Sequence, residues 1–369
     1  MSGLLLTRVD ERGPAVDALA DLCGGRAGLS GLLDAPDGLV RRGRRAWPRL
    51  TPGKRVHRAF TFDWRDRTDA RWWPQGLTTS GDAGPDTPDL TPAQRERQLV
   101  MLAWYAKALP GDEKGGHGVR VTVYDLEARR YQHVLLVVPS LGPDGEPRWR
   151  PLRAHAGGLL WAGGHLHVAA TGKGFWTART EDLLRLPDPG SDAGRRVAAA
   201  GPTFGYRWVL PVTCGHRAGV EEGPGPAVEK LRYSFFSLDR SSSPPSMLVG
   251  EYARGKASRR LVRIDLDPTT LLPALDAANT TRPRVVGEGL AQMQGAVVAD
   301  GRWYATTSHG RRTRGSLLAG EPGDLVRHRR ATPMGPEDLA WWPERGELWS
   351  ATEHPVARWI YAVRPGDVG

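Results

Sequence analysis

The chain has 369 residues, with 51 basic against 41 acidic side chains and a formal net charge of +10. This length allows one large all-β domain or two ordinary domains. Only six of the 51 basic residues are lysines. The positive net charge therefore reflects an arginine-rich composition rather than a surface specialised for binding nucleic acid. The arginine clusters at 41–45, 309–315 and 327–330 form neither a basic helical stripe nor an alternation with aromatic residues. The composition therefore predicts no nucleic-acid partner.

The cysteines and the N-terminus bear on cellular location. Cys23 and Cys214 are the two cysteines, and the absence of a CxxC motif indicates reduced, buried thiols. Charged residues follow the leucines of the N-terminus too soon for the apolar core of a signal peptide. No window approaches the ~18 apolar residues that a membrane span needs. We therefore expect a cytoplasmic protein with no membrane contact.

Residues 1–55 lie outside the repeated pattern that fills the rest of the chain. The segments 14–23 (PAVDALADLC) and 28–35 (GLSGLLDA) are typical of short helices. We predict that 1–55 is a helical or irregular extension that caps one end of the molecule or follows its rim. Residues 56–369 are then predicted to form one β domain.

The remaining sequence repeats one pattern: a short apolar strand, a turn that contains glycine, and a second strand rich in aromatic or β-branched residues. The segments 157–172, 294–310 and 337–355 show it most clearly. The start of a further unit, at 74–84, shares Gln-Gly with the second of these, and 231–254 has the same pair of strands without the glycine. The repeat predicts a fold made of equivalent units.

The predicted strands fall into sets of four in chain order. They are 76–80, 99–106, 119–125 and 131–138; 158–162, 165–170, 174–179 and 206–213; 233–238, 246–252, 260–266 and 283–287; 295–299, 302–307, 315–319 and 324–329; and 338–342, 347–353 and 358–363. The last set lacks one strand, which 57–64 supplies. This pattern predicts an all-β, five-bladed β-propeller whose last blade is completed by an N-terminal strand. Closure of the ring removes exposed sheet edges, and the fourteen tryptophans suit packing between blades.

In such a fold the first strand of each blade lines the axis, so its start lies on the same face as the end of the second strand. The starts supply Gln75, His155, Tyr233, Gln294, Glu337 and Asp338, and the ends supply Lys107, Lys173, Glu251, His309, Glu353 and His354. We therefore expect one polar mouth of the axial channel, whereas the opposite turns are rich in glycine.

Carboxylates around a crowded axis repel one another unless they are protonated, paired with cations or bridged by a metal. Glu337 and Glu353 are the candidates for proton transfer, and His155, His309 and His354 would orient the substrate or share protons. The predicted substrate-binding residues are Gln75, Gln294, Tyr233, Glu251, Lys107, Lys173 and Asp338.

Two alternatives for these residues stay open at this point. A divalent metal ion could be held by His155, His309, His354 and Glu337. The glutamine of a strand start, such as Gln75, could instead satisfy the axial backbone and ordered water.

The layout of residues 57–364, with its PQG, HAGG, MQG and PEDL strand starts, resembles the five-bladed β-propeller superfamily and, within it, uncharacterised actinobacterial propeller proteins. The familiar members are glycosidases and sugar-binding lectins, and the resemblance implies an axial pocket. The early acidic residue of the glycosidases is replaced by Gln75 here. This departure puts a glycosidase activity in doubt.

No GxSxG, P-loop or strand-linked GxGxxG motif occurs, which disfavours serine hydrolases, NTPases and dinucleotide-dependent enzymes. The leading hypothesis is a monomeric, cofactor-free enzyme that acts on a small organic molecule by general acid–base chemistry. Such an enzyme would be a cyclase, lyase, isomerase or hydrolase, for example of secondary metabolism. The alternatives are a non-catalytic sugar- or protein-binding propeller and a metal-dependent enzyme.

Overall fold

The computed structural model describes residues 3–46, 53, 55–84, 87–112, 116–221 and 228–368, and this part of the chain is mostly β. The strands are β1 (Leu4–Val9), β2 (Arg41–Arg42), β3 (Arg44–Ala46), β4 (Val56–Thr61), β5 (Trp72–Thr79), β6 (Leu99–Ala106), β7 (Val119–Asp125), β8 (Arg130–Leu141), β9 (Pro147–Pro151), β10 (Leu159–Ala162), β11 (His165–Ala169), β12 (Gly174–Arg179), β13 (Leu184–Arg185), β14 (Trp208–Val220), β15 (Phe235–Asp239), β16 (Ser246–Gly250), β17 (Arg260–Asp265), β18 (Thr280–Thr281), β19 (Arg284–Glu288), β20 (Met293–Ala299), β21 (Arg302–Thr307), β22 (Ser316–Glu321), β23 (Asp324–His328), β24 (Pro336–Trp342), β25 (Glu347–Thr352) and β26 (Trp359–Val363). The helices are α1 (Gly13–Cys23), α2 (Gly28–Asp34), α3 (Trp64–Thr68), α4 (Ser80–Ala83), α5 (Pro92–Arg95) and α6 (Asp192–Ala200), with short 3₁₀ helices at Thr180–Asp182, Pro343–Arg345 and Pro365–Val368.

Most strands pair antiparallel with their neighbours in sequence. We name the resulting sheets by their strand order: sheet A is β5-β6-β7-β8, sheet B is β10-β11-β12-β14, sheet C is β15-β16-β17-β19, sheet D is β20-β21-β22-β23, and sheet E is β24-β25-β26-β4. Sheets A and B join into one larger sheet because β8 and β14 also pair in parallel. In sheet E, the early strand β4 pairs with β26, so chain segments that are far apart in sequence meet there.

The first strands of the sheets surround a common axis. β5 contacts β10, β10 contacts β15, β15 contacts β20, β20 contacts β24, and β24 contacts β5 again. Sheets arranged radially around a ring of inner strands are the arrangement of a β-propeller. The propeller-like arrangement that the repeated strand starts predict is therefore present in the structure.

Glycines explain how closely the inner strands approach one another. A Cβ atom on Gly76 would lie 2.5 Å from backbone atoms of Gly158 and Leu159, and one on Gly295 would lie 2.4 Å from the backbone nitrogen of Leu339. Gly158 is as tightly placed, 2.6 Å from the backbone nitrogen of Phe236. The repeated glycine therefore marks a position where two backbones touch at the axis.

The core lies between neighbouring sheets. Trp104 of sheet A and Trp349 of sheet E are both fully buried in the cluster that joins these sheets. Tyr304 of sheet D and Tyr361 of sheet E belong to the next cluster around the ring, and similar apolar clusters join the other neighbours. Buried apolar side chains, many of them large and aromatic, thus fill the space between neighbouring sheets and hold the ring together.

The N-terminal segment is only partly the separate extension that the sequence predicts. The two predicted helices are present as α1 and α2, and α1 packs against β8 and β9. However, β1 pairs with β14, β2 with β8 and β3 with β4, so the segment also adds strands to sheets B, A and E. Residues 47–52 and 54, next to the predicted boundary at 55, lie outside the described residues.

In the described part of the chain, no helix is long and apolar enough to cross a bilayer.

Candidate functional site

Bulges interrupt three of the inner strands at the residues that the sequence analysis selects. The register shifts fall on Gln75-Gly76 in β5, on Gln294 in β20 and on Glu337-Asp338 in β24. A bulge breaks the strict alternation of a strand and redirects the side chains within it. The polar side chains at these three strand starts therefore point in directions that differ from those of a regular strand.

Glu337 is a buried acidic group that has no cationic partner among the described residues. Its residue surface is 3% exposed, and its carbonyl oxygen accepts a hydrogen bond of 2.9 Å from the Thr306 hydroxyl. The Gln294 amide donates to its carboxyl oxygen Oε1 over a long 3.5 Å. Burial, followed by the nearby carboxylates of Glu353 and Asp338, raises the pKa of Glu337 well above its usual value. The environment of Glu337 therefore favours the protonated, uncharged form of its carboxyl group.

Glu353 follows the end of β25 and lies in a different electrostatic environment. Burial raises its pKa, but the positive charges of Lys107, Arg311 and Arg358 oppose this effect. Arg358, which is fully buried, also donates from Nε to the Glu353 carbonyl oxygen at 3.3 Å. The ring nitrogen Nδ1 of His354 lies 3.5 Å from Oε1 of Glu353. Nearby cations therefore favour the ionised form of Glu353 more than that of Glu337.

Trp73, at the start of β5, forms an aromatic wall beside these groups. The Nζ atom of Lys107 lies 3.0 Å from a ring centroid of Trp73, and the Arg311 guanidinium lies 5.3 Å from it. The His354 ring meets the same indole edge-on at 6.1 Å. Cation–π attraction thus holds both cations next to the carboxylates.

Tyr105, near the end of β6, adds a hydroxyl to the group. Burial, together with the charges of Glu353 and Glu337, raises the pKa of Tyr105 to about 12. Its ring lies 4.7 Å from that of His155, an exposed residue. The phenol therefore keeps its proton and can donate a hydrogen bond. We refer to Glu337, Glu353, Lys107 and Tyr105 as the axial cluster.

Asp338, one of the predicted substrate-binding residues, has its carboxyl oxygens engaged by the backbone at the axis. It stands where other inner strands carry glycine, and it is fully buried. Its Oδ2 accepts hydrogen bonds from the backbone nitrogens of Leu77 (3.2 Å) and Leu159 (3.1 Å), and its Oδ1 accepts one from Leu339 (3.0 Å). Because its oxygens tie sheets A, B and E together at the axis, the role of Asp338 is structural.

Glu251 and Tyr233 likewise make their contacts with residues that are not part of the axial cluster. Glu251 is fully buried and forms a two-pronged ion pair with Arg260, at 2.8 and 3.0 Å. Tyr233 is buried among aromatic rings, with its centroid 5.8 Å from Phe175 and 6.2 Å from Phe236. Both side chains are thus buried and engaged by their neighbours, Glu251 in an ion pair and Tyr233 among aromatic rings.

The remaining predicted residues differ in where they lie. His309 turns toward the outer part of sheet D, where its Nε2 is 2.9 Å from the Ser316 hydroxyl. Lys173 is exposed and lines a separate cavity of about 290 Å³. Gln75 is buried, and its amide donates to the Pro74 carbonyl at 2.7 Å. This contact matches the alternative in which Gln75 satisfies the axial backbone.

Sequence reasoning missed Trp73, Tyr105, Arg311 and Arg358. The sequence did carry a signal for two of them. Trp73 lies two residues before Gln75 on β5, and Tyr105 lies two residues before Lys107 at the end of β6. Residues two apart share one face of a strand. The two arginines come from loops and carry no comparable pattern.

The proposed metal set receives no support from the geometry. Among the described residues, no three His, Cys, Asp or Glu side chains come together in a position to hold a metal ion. His309, one of the four candidate ligands, contacts Ser316.

No family model matches this sequence, and no curated protein matches it either. Solved structures with similar backbones include a gluconolactonase of Xanthomonas campestris (13% identity, TM-score 0.36, covering 88% of this chain and 85% of that one). Another is the Cps50 (Swd1) β-propeller domain of Myceliophteria thermophila (12%, 0.37, 80% and 98%), and a third is the hydrazine synthase of Kuenenia stuttgartiensis (12%, 0.35, 77% and 74%). These neighbours include both enzymes and a propeller domain without a named activity. The similarity is too distant for a function to be transferred from any of them to this chain.

Proposed function

We propose that the protein is an enzyme that uses the axial cluster for general acid–base chemistry on a small organic molecule, and that sheets A to E are the blades of a five-bladed propeller. The observation that carries the catalytic proposal is the pair formed by Glu337 and Glu353. The pKa of Glu337 is raised well above its usual value by burial, whereas cations oppose the same effect at Glu353. Two carboxyl groups whose environments separate their pKa values are a typical acid and base pair.

The roles follow from these environments. Glu337 is the general acid, since burial favours the protonated form of its carboxyl group, and the Gln294 amide contacts that group. Glu353 is the general base. Tyr105 donates a hydrogen bond to negative charge that develops on the substrate, and Lys107 supplies a positive charge beside it.

The reaction class is proposed at the level that these groups support. Proton donation on one side of a bond and proton removal on the other serve a cyclase, lyase, isomerase or hydrolase, including enzymes of secondary metabolism. No cofactor takes part in the proposal, which is of a monomeric, cytoplasmic protein.

The protonation of Glu337 can be tested before any substrate is known. Infrared difference spectra of the wild type at neutral pH should contain a protonated carboxyl band, part of which disappears in Glu337→Gln. The matched control is Glu321→Gln, which removes an exposed carboxylate at the end of β22. An unchanged band in Glu337→Gln would show that this residue is ionised and would contradict the assignment of the acid.

Turnover is tested with a panel of lactones, aryl esters, aryl glycosides and enol ethers. For a substrate that the wild type converts, Glu337→Gln and Glu353→Gln should each lower kcat/KM by ~10²–10⁴-fold. Glu321→Gln should retain the wild-type value within about twofold. Full activity of Glu337→Gln would refute the assignment. Saturable sugar binding without any turnover would favour the non-catalytic alternative instead.

A further inference from the structure

A second cleft lies at the other end of β24 and β25 from the axial cluster. Its volume is about 770 Å³, within the range of roughly 300–1,000 Å³ that small-molecule sites occupy. It lies where sheets E and A meet, and its basic lining residues are Arg45, His57, Arg58, Arg129, Arg345 and Arg364. Nothing in the proposed acid–base chemistry uses this cleft.

The acidic groups of the cleft are few and already engaged. Glu347, which is 5% exposed, accepts hydrogen bonds from Arg58 at 3.3 Å, from Arg345 at 3.2 Å and from the Trp349 indole at 3.0 Å, and it contacts His57 at 2.9 Å. The other carboxylate, Glu127, accepts a hydrogen bond from the Gln98 amide. Five guanidinium groups therefore face two carboxylates.

The positive charges in the cleft are close enough to disfavour one another. Burial lowers the pKa of Arg58, Glu347 opposes this effect, and the neighbouring guanidinium groups of Arg345 and Arg45 lower the pKa further. In addition, Nδ1 of His57 is buried and has no hydrogen-bond partner in the described part of the chain. An anion placed among these groups would relieve the repulsion.

We propose that this cleft binds a small molecule that carries a phosphate group. The planar guanidinium group of arginine donates paired hydrogen bonds that match phosphate oxygens, which favours arginine over lysine in such sites. Arg129 and Arg364 are exposed at the edge of the cleft. They are free to close on the ligand, whereas Arg58 and Arg345 are held by Glu347 at its base.

The test is calorimetric titration of the full chain with sodium pyrophosphate. The wild type should bind saturably, and the double variant Arg129→Gln/Arg364→Gln should bind about tenfold or more weakly. Two single charge removals are compared as well. Arg129→Gln removes a charge at the cleft, and its matched control Arg148→Gln removes an exposed charge that pairs with Asp144 near the far end of β8. The cleft variant should weaken binding severalfold, and the distant variant should change it less than twofold.

Several outcomes would overturn the proposal. The first is the absence of saturable pyrophosphate binding to the wild type, and the second is undiminished binding in the double variant. The third is an equal loss of affinity in Arg129→Gln and in Arg148→Gln, which would show a general effect of the net charge. A second titration, with phenyl phosphate, identifies the source of the phosphate: tighter binding than pyrophosphate indicates an organic ester, and weaker binding indicates a diphosphate. Thermal unfolding of each variant confirms that the exposed substitutions leave the fold intact.

Discussion

Glu337 in sheet E and Glu251 after the second strand of sheet C are both buried, at 3% and 0% exposed, but their electrostatics are opposite. Burial alone would raise the pKa of Glu251, yet hydrogen bonds from the Arg260 side chain and from the backbone of Arg260 and Arg232 lower it to about 2. At Glu337, burial raises the pKa and no cation opposes it among the groups that shift it. The environment of Glu251 therefore favours the carboxylate, whereas that of Glu337 favours the protonated acid.

The difference shows that burial does not by itself mark a functional carboxyl group. Burial makes the charged form of either residue unfavourable, and the partner decides which form persists. A carboxylate with four well-placed donors, as at Glu251, has no reason to take up or release a proton near neutral pH. Among the described residues, one long hydrogen bond reaches the carboxyl group of Glu337, so no set of donors there stabilises its ionised form.

The largest effect is expected when the partner of Glu251 is removed. Arg260→Ala leaves a buried carboxylate without its cation, which destabilises proteins by ~3–5 kcal/mol. The matched control is Arg259→Ala, since the neighbouring Arg259 pairs with Glu288 in a much more exposed ion pair that is worth about 1 kcal/mol or less. Urea unfolding measures both variants. Equal losses would show that the Glu251 pair is not special.

The same pair predicts a pH dependence. Because the folded pKa of Glu251, about 2, lies below its ordinary 4.5, the pair contributes stability above the ordinary value. This contribution is lost as the pH falls from 4.5 through 2. In Arg260→Ala this part of the acid sensitivity should disappear.

These contrasts were only partly visible in the sequence. The repeated Gln-Gly starts correctly mark the inner strands, because close approach of two backbones demands glycine at 76 and 295. A positive φ at both Asp300 (50°) and Gly301 (78°) likewise explains the hairpin turn between β20 and β21. Local rules of this kind can be read from short segments.

The partners of the acidic groups could not be read in the same way. Whether Glu251 meets Arg260 or the axis depends on the pairing of β16 with β17, and a change of one residue would turn the side chains to the other face. The arginines that favour ionised Glu353 come from loops at 311 and 358. The added strands β1 to β3 pair with distant sheet edges, and their own sequence gives no periodic signal for this.

Asp338 shows that a raised pKa does not by itself mark a catalytic group. Burial raises its pKa well above the usual value, yet its carboxyl oxygens accept hydrogen bonds from the backbone of neighbouring strands. Asp338→Ala would leave the buried backbone N–H groups of Leu77 and Leu159 without an acceptor. Each such group costs ~1–3 kcal/mol. Asp338→Asn keeps one acceptor oxygen and should lose less than half as much stability. Thermal unfolding that shows no loss for the alanine variant would remove the structural assignment.

Glu337→Gln should have the opposite stability profile from the loss of Arg260. Since the folded pKa of Glu337 is raised, its protonated form contributes stability below the ordinary value of 4.5, and this contribution is lost as the pH rises above it. The glutamine variant removes that dependence. Its unfolding free energy relative to wild type should therefore increase from pH 5 toward pH 8. A constant difference across this range would mean that Glu337 does not titrate abnormally.

Lys107→Met tests the other half of the acid–base pair and should have the smallest effect. Lys107 is the first of the cations that oppose the raised pKa of Glu353, so its removal should raise that pKa further and reduce the ionised fraction near neutral pH. Activity should fall by about tenfold or less and recover at higher pH. Carbon NMR titration of the Glu353 carboxyl group measures the shift without a substrate. Lys230→Met, which removes an exposed lysine, should leave the titration unchanged. If Lys107→Met also leaves the titration of Glu353 unchanged, the cations around Trp73 do not favour its ionised form. The difference between the pKa values of Glu337 and Glu353 would then have to come from burial alone.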